Sequence, residues 1–232
     1  GISREEQDAW ALGSHQKWAM ADKSGRFNDE LVSVELPAKK GTPVIFGKDE
    51  LPRPDTTLEA LAKLKTIYGS PTVTAGNAPG LDAGATAVII MRRSKAEKRG
   101  IKPLATIVAV ASGAGEPRRM AELPAKVIGQ ALKRASLCID DMSVIEINEA
   151  FAAVTLVSTK MLAGGDETTW RALLKKTNLN GGAIAIGHPV GASGGRILMT
   201  MMYELRRRGG GYGVCGICGG LAQGDAVVIR VD

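Results

Sequence analysis

Two histidines and three cysteines are the side chains best suited to proton or acyl transfer in this chain, and His188, Cys215 and Cys218 all fall in its last quarter. His188 sits in a glycine-rich run from Asn180 to Gly195, between an apolar stretch and a helix-forming stretch. Glycines there let backbone and ligand approach closely, which serves a site as well as it serves a turn, so the run alone leaves both readings open. His15, on an opening helix, reads as a structural histidine. Cys215 and Cys218 form a Cys-x-x-Cys pair. Zinc would need two further ligands, and only Cys138 and His188 are at hand, with no second paired spacing. A redox pair would precede a helix near the start of its fold, whereas this pair ends a strand near the C-terminus. No metal site is expected. The glycines after Cys218 instead place a thiol beside free backbone N–H groups, an arrangement suited to thioester chemistry. Asn148-Glu149-Ala150-Phe151, at the end of another apolar run, adds polar side chains that can emerge at a sheet edge.

Positioning these residues requires regular elements, and the pattern supplies them. Ser3 with Glu6 makes a capping box for a helix running to about Ala21 and closed near Gly25. The stretch from Phe27 to Pro54 is punctuated by Pro and Gly, with a short strand expected at Leu31 to Val34 and a helix at Thr57 to Leu64. From Thr72 the chain becomes a succession of short apolar pieces. Ala85 to Met91 and Ala105 to Ala111 read as buried strands, and Pro124 opens a helix with Val127, Ile128, Ala131, Leu132 and Ala135 on one face. Val144 to Ile147 reads as a strand running into a helix that carries Phe151, Val154, Leu156 and Val157. Ala183 to Ile186 looks strand-like, Ile197 to Arg207 helical, and Val214 to Ile217 with Ala226 to Val231 closes the chain as a pair of strands. This alternation predicts a layered α/β/α fold with a mainly parallel sheet.

Composition narrows the function classes. Hydrophobic residues make up 44% and charged residues 23%, the balance of a globular chain able to bury a core. No run of eighteen apolar residues suggests a membrane span, and the first residues lack the apolar centre of a signal peptide. With an odd number of cysteines in no disulfide pattern, a reducing, cytoplasmic setting is expected. The net charge of +6 gathers in Arg92 to Arg99 and Arg206 to Arg208, which read as solvated helix ends. Aromatics are only 4% and no nucleic-acid motif is present, so a nucleic-acid partner is not expected.

Taken together, Asn148-Glu149-Ala150-Phe151, the run Gly181 to Gly194 with His188-Pro189 inside it, and the C-terminal Cys218 with its glycines closely resemble the signature segments of the thiolase family. The likeness extends to Arg53 through Leu64 and to Thr72-Val73-Thr74-Ala75-Gly76-Asn77-Ala78, which resembles the family's coenzyme A loop. It implies that His188 activates a nucleophilic cysteine and donates to the thioester oxygen, and that Asn148 holds the water completing this first oxyanion hole. Cys218 would be the acid/base at the α-carbon of the second thioester, with thiolate character favoured by backbone dipoles. The Gly220 N–H would contribute to a second oxyanion hole. Arg53, Ala75, Ala78, Leu81, Ala150 and Phe151 would line the site of coenzyme A, which acts as a substrate and not as a tightly bound cofactor. The implied reaction is Claisen condensation of acyl-coenzyme A or thiolysis of 3-ketoacyl-coenzyme A; the rival is a non-catalytic, thiolase-like subunit that binds acyl-coenzyme A or a partner chain.

By the same resemblance the nucleophilic cysteine belongs to an N-terminal half that this chain lacks, and Cys138, at a helix end, does not replace it. The chain alone is therefore expected to be inactive and to act with that half or a companion chain, in a homo- or hetero-oligomer. Residues 1–79 would be the remainder of a loop domain, 80–100 the last strand and helix of the N-terminal half, and 101–232 a complete C-terminal domain. Pro79 and Ala83 depart from the family's usual serine and aspartate near coenzyme A. The stretch 163–177 is expected to carry an extra surface helix.

Overall fold

The computed structural model describes residues 1–38 and 41–232. Helix α1 (Arg4–Lys23) starts at the expected box: Ser3 Oγ accepts from the Glu6 N–H, and the Ser3 N–H donates to the Glu6 carboxylate. Its buried face is mostly polar, with Gln7, Asp8, Ser14 and His15 beside Ala11 and Ala21. Strands β1 (Val34–Leu36) and β2 (Val44–Phe46) form an exposed antiparallel ribbon, slightly beyond the strand position expected from the sequence. Helix α2 (Leu58–Ala62) is capped by the Thr57 hydroxyl. Helix α3 (Arg93–Lys98) follows a long irregular segment.

The larger unit is a four-stranded sheet built from β3 (Thr106–Ala114), β4 (Met142–Ile147), β5 (Gly211–Gly219) and β6 (Gln223–Val231), in the order β3-β6-β5-β4. Helix α4 (Leu123–Ala135) lies on one face, with α5 (Ala152–Leu162) and α6 (Glu167–Leu174) beyond it. After the short turn α7 (Ala183–Ile186), helix α8 (Ser193–Arg207) covers the opposite face. Alternation along the strands splits the core accordingly. Ile145, Val214 and Val228 join Leu123, Val127 and Ile128 on the α4 side, while Val144, Cys215 and Ile229 join Ile197, Met201 and Leu205 on the α8 side.

Three expectations change. The sheet is mixed, because only the β4–β5 ladder is parallel while β3–β6 and β5–β6 are antiparallel; the chain closes as a hairpin instead of crossing over. Ala183 to Ile186 is one helical turn, ended by Gly187 at φ +93°. Ala85 to Met91 forms no strand and is not buried: Val88, Ile89 and Ile90 are 48%, 88% and 68% exposed. A strand exists only through a neighbour's hydrogen bonds, and among the described residues no strand pairs with this segment. Together with Leu104, Leu198, Met202 and Tyr203, it lines an apolar cleft of about 680 Å³. The surface helix expected in 163–177 is α6, although its Trp170 and Leu173 point inward.

Candidate active site

Asn148 leaves the C-terminal end of β4, its N–H donating to Gly216 O on the parallel neighbour β5 at 3.0 Å. Two residues further along β5 stands Cys218, so both side-chain positions emerge at the same sheet edge. The loop after α7 brings in the third group: His188 Nε2 lies 3.3 Å from Asn148 Nδ2, and its Nδ1 lies 2.7 Å from Ser193 Oγ. The His188 ring is half-buried, and burial, reinforced by Arg196, lowers its pKa below the ordinary histidine value, against the pull of Asp82. A neutral imidazole able to accept a proton is the resting form.

Cys215 and Cys218 face opposite sides of the sheet, being three residues apart on one strand: Cys215 packs under α8, Cys218 among the α4-side core residues. That geometry rules out their acting as a chelating or disulfide pair. Burial, with the nearby Glu146, pushes the Cys215 thiol up to about 12, so it is inert. The Cys218 thiol is also raised, because burial outweighs the backbone hydrogen bond that favours its thiolate. Against the backbone dipoles expected to favour its thiolate, desolvation is the larger effect in a residue 6% exposed. Gly220 lies exposed at the tip of the β5–β6 hairpin, before Leu221 and Ala222, which both have positive φ.

The loop 72–80 is tied to this edge at two points. Asn77 O accepts from the Ala152 N–H at 2.9 Å, and Gly80 O accepts from the His188 N–H at 2.9 Å. Asn77 is fully buried, its Oδ1 accepting from the Thr74 N–H and its Nδ2 donating to Asp8 and to Thr72 O. Within this loop Ala78 is buried and Ala75 exposed, and just beyond it Leu81 is exposed. Ala150 and Phe151 are half-buried at the foot of α5, where Phe151 meets Tyr68 edge-on at 6.4 Å. Arg53 is exposed, but its backbone N–H donates to His15 Nδ1 at 3.1 Å, so the structural histidine of α1 holds the Arg53 loop.

Two residues to which the sequence assigns no role of their own assemble the edge. Glu149 is fully buried, and its carboxylate accepts from Trp10 Nε1, Ser14 Oγ, Asn178 Nδ2 and the Ile184 N–H at 2.8–3.2 Å. It thereby joins α1, the first turn of α7 and the 176–182 segment around the end of β4. A Cβ on Gly182 would press into this carboxylate, which requires glycine there. Asn178, in the left-handed region at φ +47°, uses its amide as a substitute strand: Oδ1 accepts from the Ile147 N–H and Nδ2 donates to Ile147 O.

With these positions fixed, comparison with known proteins is informative. The family model for the thiolase C-terminal domain matches residues 101–231, and that for the thiolase N-terminal domain matches residues 1–94. The chain belongs to the thiolase family. It is 48% identical to a probable acetyl-CoA acetyltransferase of Mycolicibacterium smegmatis and 44% identical to the acetyl-CoA acetyltransferase of Allochromatium vinosum, in each case over 99% of this chain and 57% of the relative. The crystal structure of the Bacillus anthracis acetyl-CoA acetyltransferase superposes with a TM-score of 0.92 at 38% identity, over all of this chain and 57% of that one. A human mitochondrial 3-ketoacyl-CoA thiolase in complex with CoA superposes with a TM-score of 0.88 at 43% identity, covering 55% of that chain. The chain therefore spans little more than half the length of these thiolases. The expectation of an absent N-terminal half also changes, since residues 1–94 match the thiolase N-terminal domain.

In this thiolase scaffold Glu149 carries the largest structural effect. Replacing it with alanine leaves four buried or half-buried donors without an acceptor, each costing about 1–3 kcal/mol, partly relieved by relaxation. A loss of about 3–5 kcal/mol in unfolding free energy is expected, read from the shift of the denaturant midpoint.

Proposed function

We propose that this chain provides the acid/base and oxyanion-binding part of a thiolase active site, acting on acyl-coenzyme A thioesters by Claisen condensation or thiolysis. The observation that carries this reading is the approach of His188 to Asn148 at the end of β4, tied to the loop 72–80 through the Gly80 carbonyl, with Cys218 near the end of the neighbouring strand β5. In the proposed cycle a cysteine thiol outside these 232 residues passes its proton to His188 and attacks the thioester carbonyl, expelling coenzyme A thiolate. Asn148 would hold a water that, with His188, donates to the developing oxyanion. The Cys218 thiol, held protonated by burial, first gives its proton to the departing thiolate. As a thiolate it then removes an α-proton from the second thioester, whose enolate oxygen is met by the Gly220 N–H, and the carbanion attacks the acyl-cysteine, expelling the cysteine thiolate, which takes back the proton held by His188. Thiolysis runs the same steps backward, with Cys218 protonating the carbanion that leaves.

Coenzyme A would lie along Arg53, Ala75, Ala78, Leu81, Ala150 and Phe151, with Arg53 at its anionic nucleotide end, and it enters and leaves as substrate. The acyl group is not set by overall likeness: a β-ketoadipyl-CoA thiolase of Acinetobacter baylyi is 45% identical, within the range of the acetyl-CoA acetyltransferases. Residues 1–79 would serve as the remainder of a loop domain, 80–100, with α3, as the end of the N-terminal half, and 101–232 as the C-terminal domain.

This reading predicts that the chain by itself forms no acyl-enzyme. Cys138 is exposed before the start of β4, at the opposite end of that strand from Asn148, Cys215 is buried on the other face, and Cys218 is the thiol assigned to the α-carbon. Intact-mass measurement after incubation with acetyl-coenzyme A should show no stoichiometric 42-Da class adduct. A full acetyl adduct on Cys218 would show that this thiol is the nucleophile and overturn the assigned roles.

A further inference from the structure

The hydrogen bonds around His188 fix more than its position. Ser193 is almost fully buried at the start of α8, and its hydroxyl lies 2.7 Å from His188 Nδ1 and 3.1 Å from Pro189 O. A carbonyl can only accept, so the hydroxyl's single hydrogen has a place on Pro189, which leaves its lone pairs facing the ring. With the Ser193 oxygen thus offered as an acceptor on the Nδ1 side, the ring proton is placed on Nδ1 and the lone pair on Nε2, where the Asn148 side-chain amide lies 3.3 Å away.

We propose that Ser193 is a positioning residue that holds neutral His188 as its Nδ1–H tautomer, through the chain Nδ1–H to Ser193 Oγ to Pro189 O, and so presents Nε2 as the base. The bond made at one ring nitrogen decides which proton the other can take. When Nε2 accepts a proton the imidazolium keeps its Nδ1–H bond to Ser193, so no ring flip is needed and both nitrogens end as donors. This deepens the thiolase reading, in which Nε2 is the atom that takes the cysteine proton. Its test reads the ring directly, so a failure of acyl transfer would leave the result intact.

The chain has only two histidines, His15 and His188, so long-range proton–nitrogen correlation NMR of the labelled chain resolves both imidazoles. The spectra would be recorded at a pH of about 8.5, above the ordinary histidine range near 6.5, with His188→Asn assigning the signals. His188 is expected to show a protonated Nδ1 and a bare Nε2. Ser193→Ala should lose that pattern in favour of Nε2–H or an exchange average, while His15 stays unchanged and reports an intact fold. Ser193→Thr, which keeps the hydroxyl, should retain the wild-type pattern. A wild-type His188 protonated at Nε2, or an unchanged Nδ1–H pattern in Ser193→Ala, overturns the proposal. Should the alanine variant fail to fold, the wild-type and threonine spectra decide.

Discussion

Replacing His188 with alanine in the assembled enzyme is expected to lower acyl transfer by about 10²–10⁴-fold, the range for loss of a positioned general base. The cysteine thiol then has no acceptor for its proton, and one donor to the oxyanion disappears with it. Folding should be nearly unaffected. The ring is half-buried on a loop, its ties to Ser193 and Asn148 are net contributions of about 1 kcal/mol each, and the loop stays anchored through its backbone bond to Gly80. Turnover of the variant, compared with its thermal midpoint, separates the two effects. An enzyme that turns over near normally without this ring would remove His188 from the mechanism, whereas a collapsed midpoint would make it a packing residue.

Much of the site was legible in the sequence because its parts are local. A histidine in a glycine-rich loop, an Asn-Glu at a strand end and a cysteine followed by glycines each announce themselves within a few residues, and the strands and helices that carry them follow from period-2 and 3.6-residue patterns. What failed depends on neighbours distant in sequence. Ala85 to Met91 has a strand's composition but, among the described residues, no strand to pair with. Ala183 to Ile186 is an apolar run too short for its period to be read, and it turns helical so that the Ile184 N–H can reach Glu149. Glu149 is visible in its motif, but its role is not, because Trp10, Ser14, Asn178 and Ile184 close on it from three separate stretches of chain. The Cys218 thiol illustrates the same limit in electrostatics: its flanking glycines are visible in sequence, whereas the α4-side packing that desolvates it is not.

That desolvation sharpens the second large prediction, for Cys218→Ser. The thiol is already harder to ionise than a free cysteine, so it works only when a departing coenzyme A thiolate takes its proton. A serine hydroxyl in the same buried place is far less acidic still and would not yield its proton to a thiolate. The exchange of an α-proton should therefore fall by about 10²–10⁴-fold, and condensation and thiolysis with it. The first acylation forms its bond with the other cysteine and His188, whose hydrogen bonds to Asn148 and Ser193 do not involve Cys218, and the departing coenzyme A thiolate can take its proton from water in place of Cys218. It should stay detectable, so the variant is expected to accumulate acyl-enzyme. Rapid-quench mass spectrometry with acetyl-coenzyme A, alongside exchange of the α-protons in deuterium oxide, measures both halves on one preparation. Near-stoichiometric acyl-enzyme with almost no α-exchange is the expected pair of results. If acylation and exchange instead decline by the same factor, proton donation by Cys218 limits the first step as strongly as α-proton removal limits the second, and the separation of the two steps between the two thiols proposed here is wrong.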